Sequence, residues 1–186
     1  MALGAILTQN TNWSNVTKAI NNLKASNALA PGVLREMPLE ELAELIRPSG
    51  YFRMKAQKVK NFLDFLYKKV DGKIDDLRAC DWSELRSALL QVKGIGPETA
   101  DSILCYALHH PVFVVDAYTA RISSRHGLVP EEVSYGELQS FFMDRLEADT
   151  SLFNEFHALL VRVGHTWCRK GTPLCTHCPL QPFLDA

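Results

Sequence analysis

No run of 18 apolar residues occurs in this chain, so it holds no candidate for a membrane-spanning helix. The start, MALGAILTQ, lacks the basic leader and small-residue cleavage site of a secretory signal, and it reads as a core helix that begins abruptly. Sustained alternation of apolar and polar residues is missing as well, which argues against a sheet. Positive charge is not in excess. The net charge of −1 speaks against nucleic-acid binding unless a local basic patch supplies the phosphate contacts. Cysteine is scarce. Five residues, an odd number without a secretory leader, point to a reducing cytoplasm and to metal ligation rather than a disulfide scaffold. Neither repeats nor low-complexity segments are found.

What is present is a chain of 186 residues, 47% apolar and 22% charged, an ordinary globular composition with enough length for a real core. Helical periodicity predicts an all-α fold with helices over Ala2–Thr8, Trp13–Lys24, Pro31–Glu36, Leu39–Arg47, Phe52–Lys69, Trp82–Gln91, Pro97–Leu108, Ala117–His126, Tyr135–Glu147 and Ser151–Trp167. Asp81, Asp116 and Ser134 stand where N-cap residues belong, and Pro97 suits a first helical position. The apolar segment from His110 to Val115 reads as an extended, buried crossing between two helical lobes, 1–108 and 109–186.

The stretch from Val92 to Arg121 carries the chemistry. Gly94-Ile95-Gly96 lets the backbone approach a ligand closely, and the helix that starts at Pro97 aims its free N–H groups at the same loop. Such a site suits a phosphate, although a plain turn between helices also uses glycine. Asp116 offers a carboxylate at the mouth of the next helix, where capping alone is the simpler role. From Arg53 to Lys73, seven cations (Arg53, Lys55, Lys58, Lys60, Lys68, Lys69, Lys73) stand against Asp64 and Asp71, a local charge of +5. That run is either a solvated helix face or a phosphate-contacting patch. His109, His110, His126 and His157 are taken as structural.

Val92–Ala100 and Val114–Arg121 together resemble the helix–hairpin–helix (HhH-GPD) DNA glycosylase superfamily, specifically its endonuclease III-like members. The stretch Ile6-Leu7-Thr8-Gln9-Asn10-Thr11 and the loop Gly50–Ala56 resemble other motifs of that family, in the family's order. Only the family's first helix has no counterpart. The resemblance implies a two-lobed fold, with the helix–hairpin–helix at about 82–108 and DNA in the cleft between lobes. It implies Asp116 as the catalytic carboxylate, stabilising the oxocarbenium-like sugar as the N-glycosidic bond breaks. It implies DNA contacts from Lys93, Gly94, Ile95, Gly96, Arg53 and Lys55, a gap-filling Gln9 and a wedging Tyr51. Family members that also cut the strand carry a lysine where this chain has Glu98, and a carboxylate forms no imine. A monofunctional enzyme follows. Trp13, after Thr8–Asn12, resembles the aromatic of the 3-methyladenine glycosylase branch that stacks on the flipped base, and a cationic alkylated purine suits an indole face. The alternative for Trp13 is a core residue of its helix.

Cys168, Cys175 and Cys178 follow the spacing C-x6-C-x2-C and resemble the family's cluster loop, but Leu184 stands where the fourth cysteine is expected. Three readings stand: a 4Fe–4S cluster with water or Asp185 as substitute ligand, a zinc ion on the three thiolates plus His165, or a loop without metal. The partner expected is double-stranded DNA with a damaged base, bound by a monomer in the cytoplasm, at the nucleoid. Two other functions remain open: a bifunctional glycosylase and abasic-site lyase acting on oxidised pyrimidines, and a non-catalytic helix–hairpin–helix DNA-binding module.

Overall fold

The computed structural model describes residues 1–184. Their regular structure is helical throughout, with no strand among the described residues. The chain divides into two compact units, Met1–Leu108 and His109–Ala186.

The first unit holds seven helices: α1 (Ala2–Leu7), α2 (Trp13–Ala25), α3 (Pro31–Glu36), α4 (Leu39–Leu45), α5 (Phe52–Val70), α6 (Trp82–Leu90) and α7 (Pro97–Ser102). α5 is the axis of this unit. Its buried positions Lys55, Ala56, Val59, Phe62, Leu63 and Leu66 recur at three- and four-residue steps and make one continuous stripe. Asn12 and Asp81 cap their helices with side-chain oxygens, Asn12 from Asn15 N–H and Asp81 from Ser83 and Glu84 N–H. Two features depart from the periodicity. A short 3-10 helix, Ile74–Ala79, lies where no helix is expected. The predicted helix Pro97–Leu108 stays α-helical only to Ser102 and continues as a π-helical turn, Ile103–Ala107, with Leu108 N–H bonded to the Ile103 carbonyl at 3.1 Å. Such turns mark local strain and cluster at functional sites. Cys105 sits inside the turn, and burial pushes its thiol up to about 12, which makes it inert.

Three of the seven cations in the α5 region turn inward. Lys55 is 2% exposed, and its ammonium donates to the carbonyls of Leu7 at 2.8 Å and Ser49 at 2.6 Å. Those carbonyls lie at the C-terminal ends of α1 and of the 3-10 turn Arg47–Ser49. Burial, helped by the Lys58 charge, pulls Lys55 down to about 8. Lys60 closes the C-terminus of α3 by donating to the carbonyls of Leu34, Arg35 and Met37. Lys58 bonds Gln9. The reading of Lys55 as a DNA contact is thus corrected, because its charge never reaches the surface. Arg53, Lys68, Lys69 and Lys73 remain exposed.

The second unit holds α8 (Ala117–Arg125), α9 (Tyr135–Met143) and α10 (Thr150–Thr166). Its core is a stack of aromatic rings around Phe113, which faces Phe142 at 4.4 Å and meets Phe153 and Phe156 edge-on. Phe113 belongs to the extended segment Val112–Val115, whose side chains are all buried. A buried extended segment without a sheet must satisfy its backbone elsewhere. Here α9 does so: Gln139 Nε2 donates to the Phe113 carbonyl at 2.7 Å, and the Tyr135 hydroxyl accepts from Val115 N–H at 3.5 Å. The segment thereby delivers Asp116 in a set position at the start of α8.

Candidate active site

Asp116 has extended backbone angles and caps α8. Its Oδ1 accepts from the Thr119 N–H at 2.7 Å and from the Thr119 hydroxyl at 2.8 Å. Its Oδ2 faces His157 Nε2 of α10 at 3.6 Å, a contact longer than a usual hydrogen bond. The carboxylate is 12% exposed. Burial alone raises its pKa, but the interactions with His157 and Thr119 outweigh burial and hold it below its ordinary 3.8. The group is a localised anion at neutral pH, with one oxygen occupied by the cap and the other oriented by an imidazole.

In the first unit, α6 and α7 flank the turn from Gln91 to Gly96. Gly94 has φ +97°, and a Cβ there would lie 2.5 Å from the Lys58 Cγ. Only glycine meets both demands. The Ile95 side chain is buried and its N–H donates back to Val92, which pins the turn. Gly96 is the N-cap of α7, with Pro97 as its first residue, so the amides of the first helical turn point back at the hairpin. Lys93 is exposed beside them. Behind the hairpin, Arg86 of α6 grips the fully buried Asp101 of α7 through two bonds, 2.6 and 3.0 Å long. Asn61 of α5 donates to the Lys93 carbonyl. Glu98 lies exposed in the first turn of α7, where an acid also complements the helix dipole.

Gln9 lies against this hairpin. Its amide donates to the Gly94 carbonyl at 3.1 Å and to the Thr99 hydroxyl at 2.9 Å, while its carbonyl accepts from Lys58. Trp13 is 55% exposed, which rules out a core role for it. Its indole edge rests on Gly4, where a Cβ would lie 3.1 Å from the ring. Tyr51 is 64% exposed with φ +46°, at the tip of the turn before α5. Arg53 is exposed and faces Glu40 at 3.6 Å.

Residues 3–148 match the family described as "HhH-GPD superfamily base excision DNA repair protein". The chain belongs to that superfamily. The Methanocaldococcus jannaschii protein named "Putative DNA repair glycosylase MJ1434" is 42% identical over 185 residues, covering 98% of this chain and 83% of that one. Among solved structures, H. pylori 3-methyladenine DNA glycosylase bound to 1,N6-ethenoadenine is 30% identical with a TM-score of 0.76, over 86% of this chain and 81% of that one. A trapped endonuclease III–DNA covalent intermediate is 25% identical with a TM-score of 0.81, over 98% and 80% of the two chains.

The cysteine loop of this HhH-GPD protein does not fit a four-thiolate cluster. Cys168, Cys175 and Cys178 line one cavity of about 30 Å³, and Leu184, which has no donor atom, lines it too. Asp185, the substitute ligand considered, lies outside the described residues. His165 as a fourth zinc ligand is not supported either. His165 is exposed on α10, and the imidazole at the cavity is that of His126. Among the described residues no set of His, Cys, Asp or Glu converges as a metal site. Two arginines of α8 bond to the loop. Arg121 donates to the carbonyls of Gly164 and Cys168, and Arg125 to those of Arg169 and Lys170 and, at 3.5 Å, to the Cys168 Sγ.

Two contacts were not read from the sequence. His157, taken there as structural, follows Asp116 by 41 positions and faces its carboxylate in the second unit. In the first unit, Arg86 and Asp101 pair across two helices.

Proposed function

We propose that this protein is a monofunctional DNA glycosylase. It binds double-stranded DNA, turns a damaged base out of the stack, hydrolyses its N-glycosidic bond and leaves an abasic site in an unbroken strand. The observation that carries this reading is Asp116: a carboxylate kept anionic and held by Thr119, in a chain whose hairpin helix presents Glu98 rather than an amine. As the C1′–N bond breaks, its electron pair leaves with the base and positive charge grows on the sugar. A fixed anion favours that state. Water then adds to C1′, and its proton leaves by way of the Asp116 carboxylate. The hairpin amides and Lys93 hold the backbone phosphate. Gln9 fills the gap left by the base, which requires its bonds to Gly94 and Thr99 to open when DNA binds. No step runs through the cysteine loop.

For the base, Trp13 supports alkylated purines, 3-methyladenine above all. The residue is 55% exposed, its ring edge lies against Gly4, and an indole suits a cationic base. The likeness to the H. pylori 3-methyladenine glycosylase is in keeping with that class. A panel of duplexes carrying 3-methyladenine, 7-methylguanine, ethenoadenine, hypoxanthine, uracil or oxidised pyrimidines tests it under single-turnover conditions. Alkylated purines should be released, and Trp13→Ala should lower their release by roughly 10- to 100-fold, the effect of one lost stacking contact. Release confined to uracil, hypoxanthine or oxidised pyrimidines contradicts the base class. Unchanged excision by Trp13→Ala contradicts the stacking role.

A further inference from the structure

We propose that His157 is a positioning residue for the catalytic carboxylate: its Nε2, facing Asp116 Oδ2, orients the one carboxylate oxygen that the helix cap leaves for the reaction. The inference rests on the reading of Asp116 given above and deepens it. Capping occupies Oδ1 fully, since the Thr119 N–H and hydroxyl both bond to it. Those two bonds set where Oδ1 sits but leave the carboxylate free to pivot about it. Oδ2 has His157 Nε2 at 3.6 Å. The contact is long enough to leave Oδ2 a strong acceptor and close enough to restrict its swing. The two side chains are only 12% and 14% exposed, so water has little access to the contact.

The rest of the unit keeps His157 in register. Along α8, Asp116 meets His157, Arg121 bonds the Gly164 carbonyl and Arg125 reaches Cys168, so α8 and α10 run side by side in the same direction. Gly164 lies seven residues after His157, two turns along the same face of α10. A Cβ at 164 would overlap the Tyr118 ring, so this glycine sets how closely the helices approach. The arginine bonds to the cysteine loop fix the far end of the pair. Imidazole and carboxylate are thus held by contacts that exist before DNA arrives, as preorganised catalysis requires.

The test compares His157→Leu and His157→Gln with the wild-type protein on a duplex from which the wild type releases a base. Three quantities are measured: the single-turnover rate, the affinity for a duplex with a tetrahydrofuran abasic-site analogue, and the melting temperature. His157→Leu should slow base release by about 10-fold or more, with affinity and melting temperature near wild type, because a misplaced reacting group costs rate rather than binding. His157→Gln, whose amide N–H can face Oδ2, should recover most of that rate. A wild-type rate in His157→Leu overturns the proposal. So does a loss of rate in both variants that tracks a loss of melting temperature, which marks a packing role. A wild-type protein that releases no base from any duplex overturns the glycosylase reading, and this inference with it.

Discussion

Replacing Asp116 by Asn should lower single-turnover base release by roughly 10²- to 10³-fold, the usual effect of removing one preorganised electrostatic stabiliser. The substitution is a clean one. Asn is as good an N-cap as Asp, and its side-chain oxygen can still accept from Thr119, so α8 should persist. What disappears is the negative charge that the proposed reaction uses. Binding to abasic-site duplex should therefore hold within a few-fold. The depressed pKa of Asp116 means that the folded protein favours the anion, which contributes stability at neutral pH and loses it only as pH falls through the depressed value. Acid within the ordinary assay range should not silence this carboxylate. A rate unchanged in Asp116→Asn, with DNA binding intact, would leave a DNA-binding module without the chemistry assigned to it.

The second large effect is expected at Arg86. Asp101 is fully buried and receives two guanidinium bonds from Arg86. Arg86→Met removes that guanidinium and leaves the buried carboxylate without its cation, at a cost of about 3–5 kcal/mol in folding stability. The double variant Arg86→Met with Asp101→Leu should recover most of the loss, since an apolar pair of similar volume often replaces a buried ion pair at little cost. Urea denaturation of the two variants measures both. The pair joins α6 to α7 immediately behind the hairpin, so the single variant should also weaken DNA affinity while the double variant regains it. A single variant as stable as wild type would mean that α6 and α7 hold the hairpin by apolar packing alone.

The parts legible in the sequence were the local ones. Asp81, Asp116 and Ser134 cap helices as their spacing predicts, because a cap is decided within three residues. Pro97 and Gly94 likewise act through backbone demands confined to one turn. Lys55, Lys58 and Lys60 misled for the opposite reason. As a run they read as a basic face, yet their partners are the carbonyls that end α1, the Arg47–Ser49 turn and α3, and the side chain of Gln9. Nothing in the spacing of lysines says which helix end will arrive beside them. The π-helical turn at Ile103–Ala107 and the contact of His157 with Asp116 are equally tertiary: each depends on how one helix packs on another. Trp13 was legible as an aromatic but not as an exposed one, because exposure depends on which elements pack around it.

Base release with the strand left intact is the central claim, and one assay tests it most directly. The wild-type protein is incubated with the end-labelled duplex it acts on, and the products are resolved with and without hot alkali, with a parallel reaction in sodium borohydride. Glu98 provides no amine at the hairpin helix, so the strand should break only after alkali, and borohydride should trap no protein–DNA adduct. Strand breaks without alkali, together with a trapped adduct formed at the rate of base release, would contradict the account.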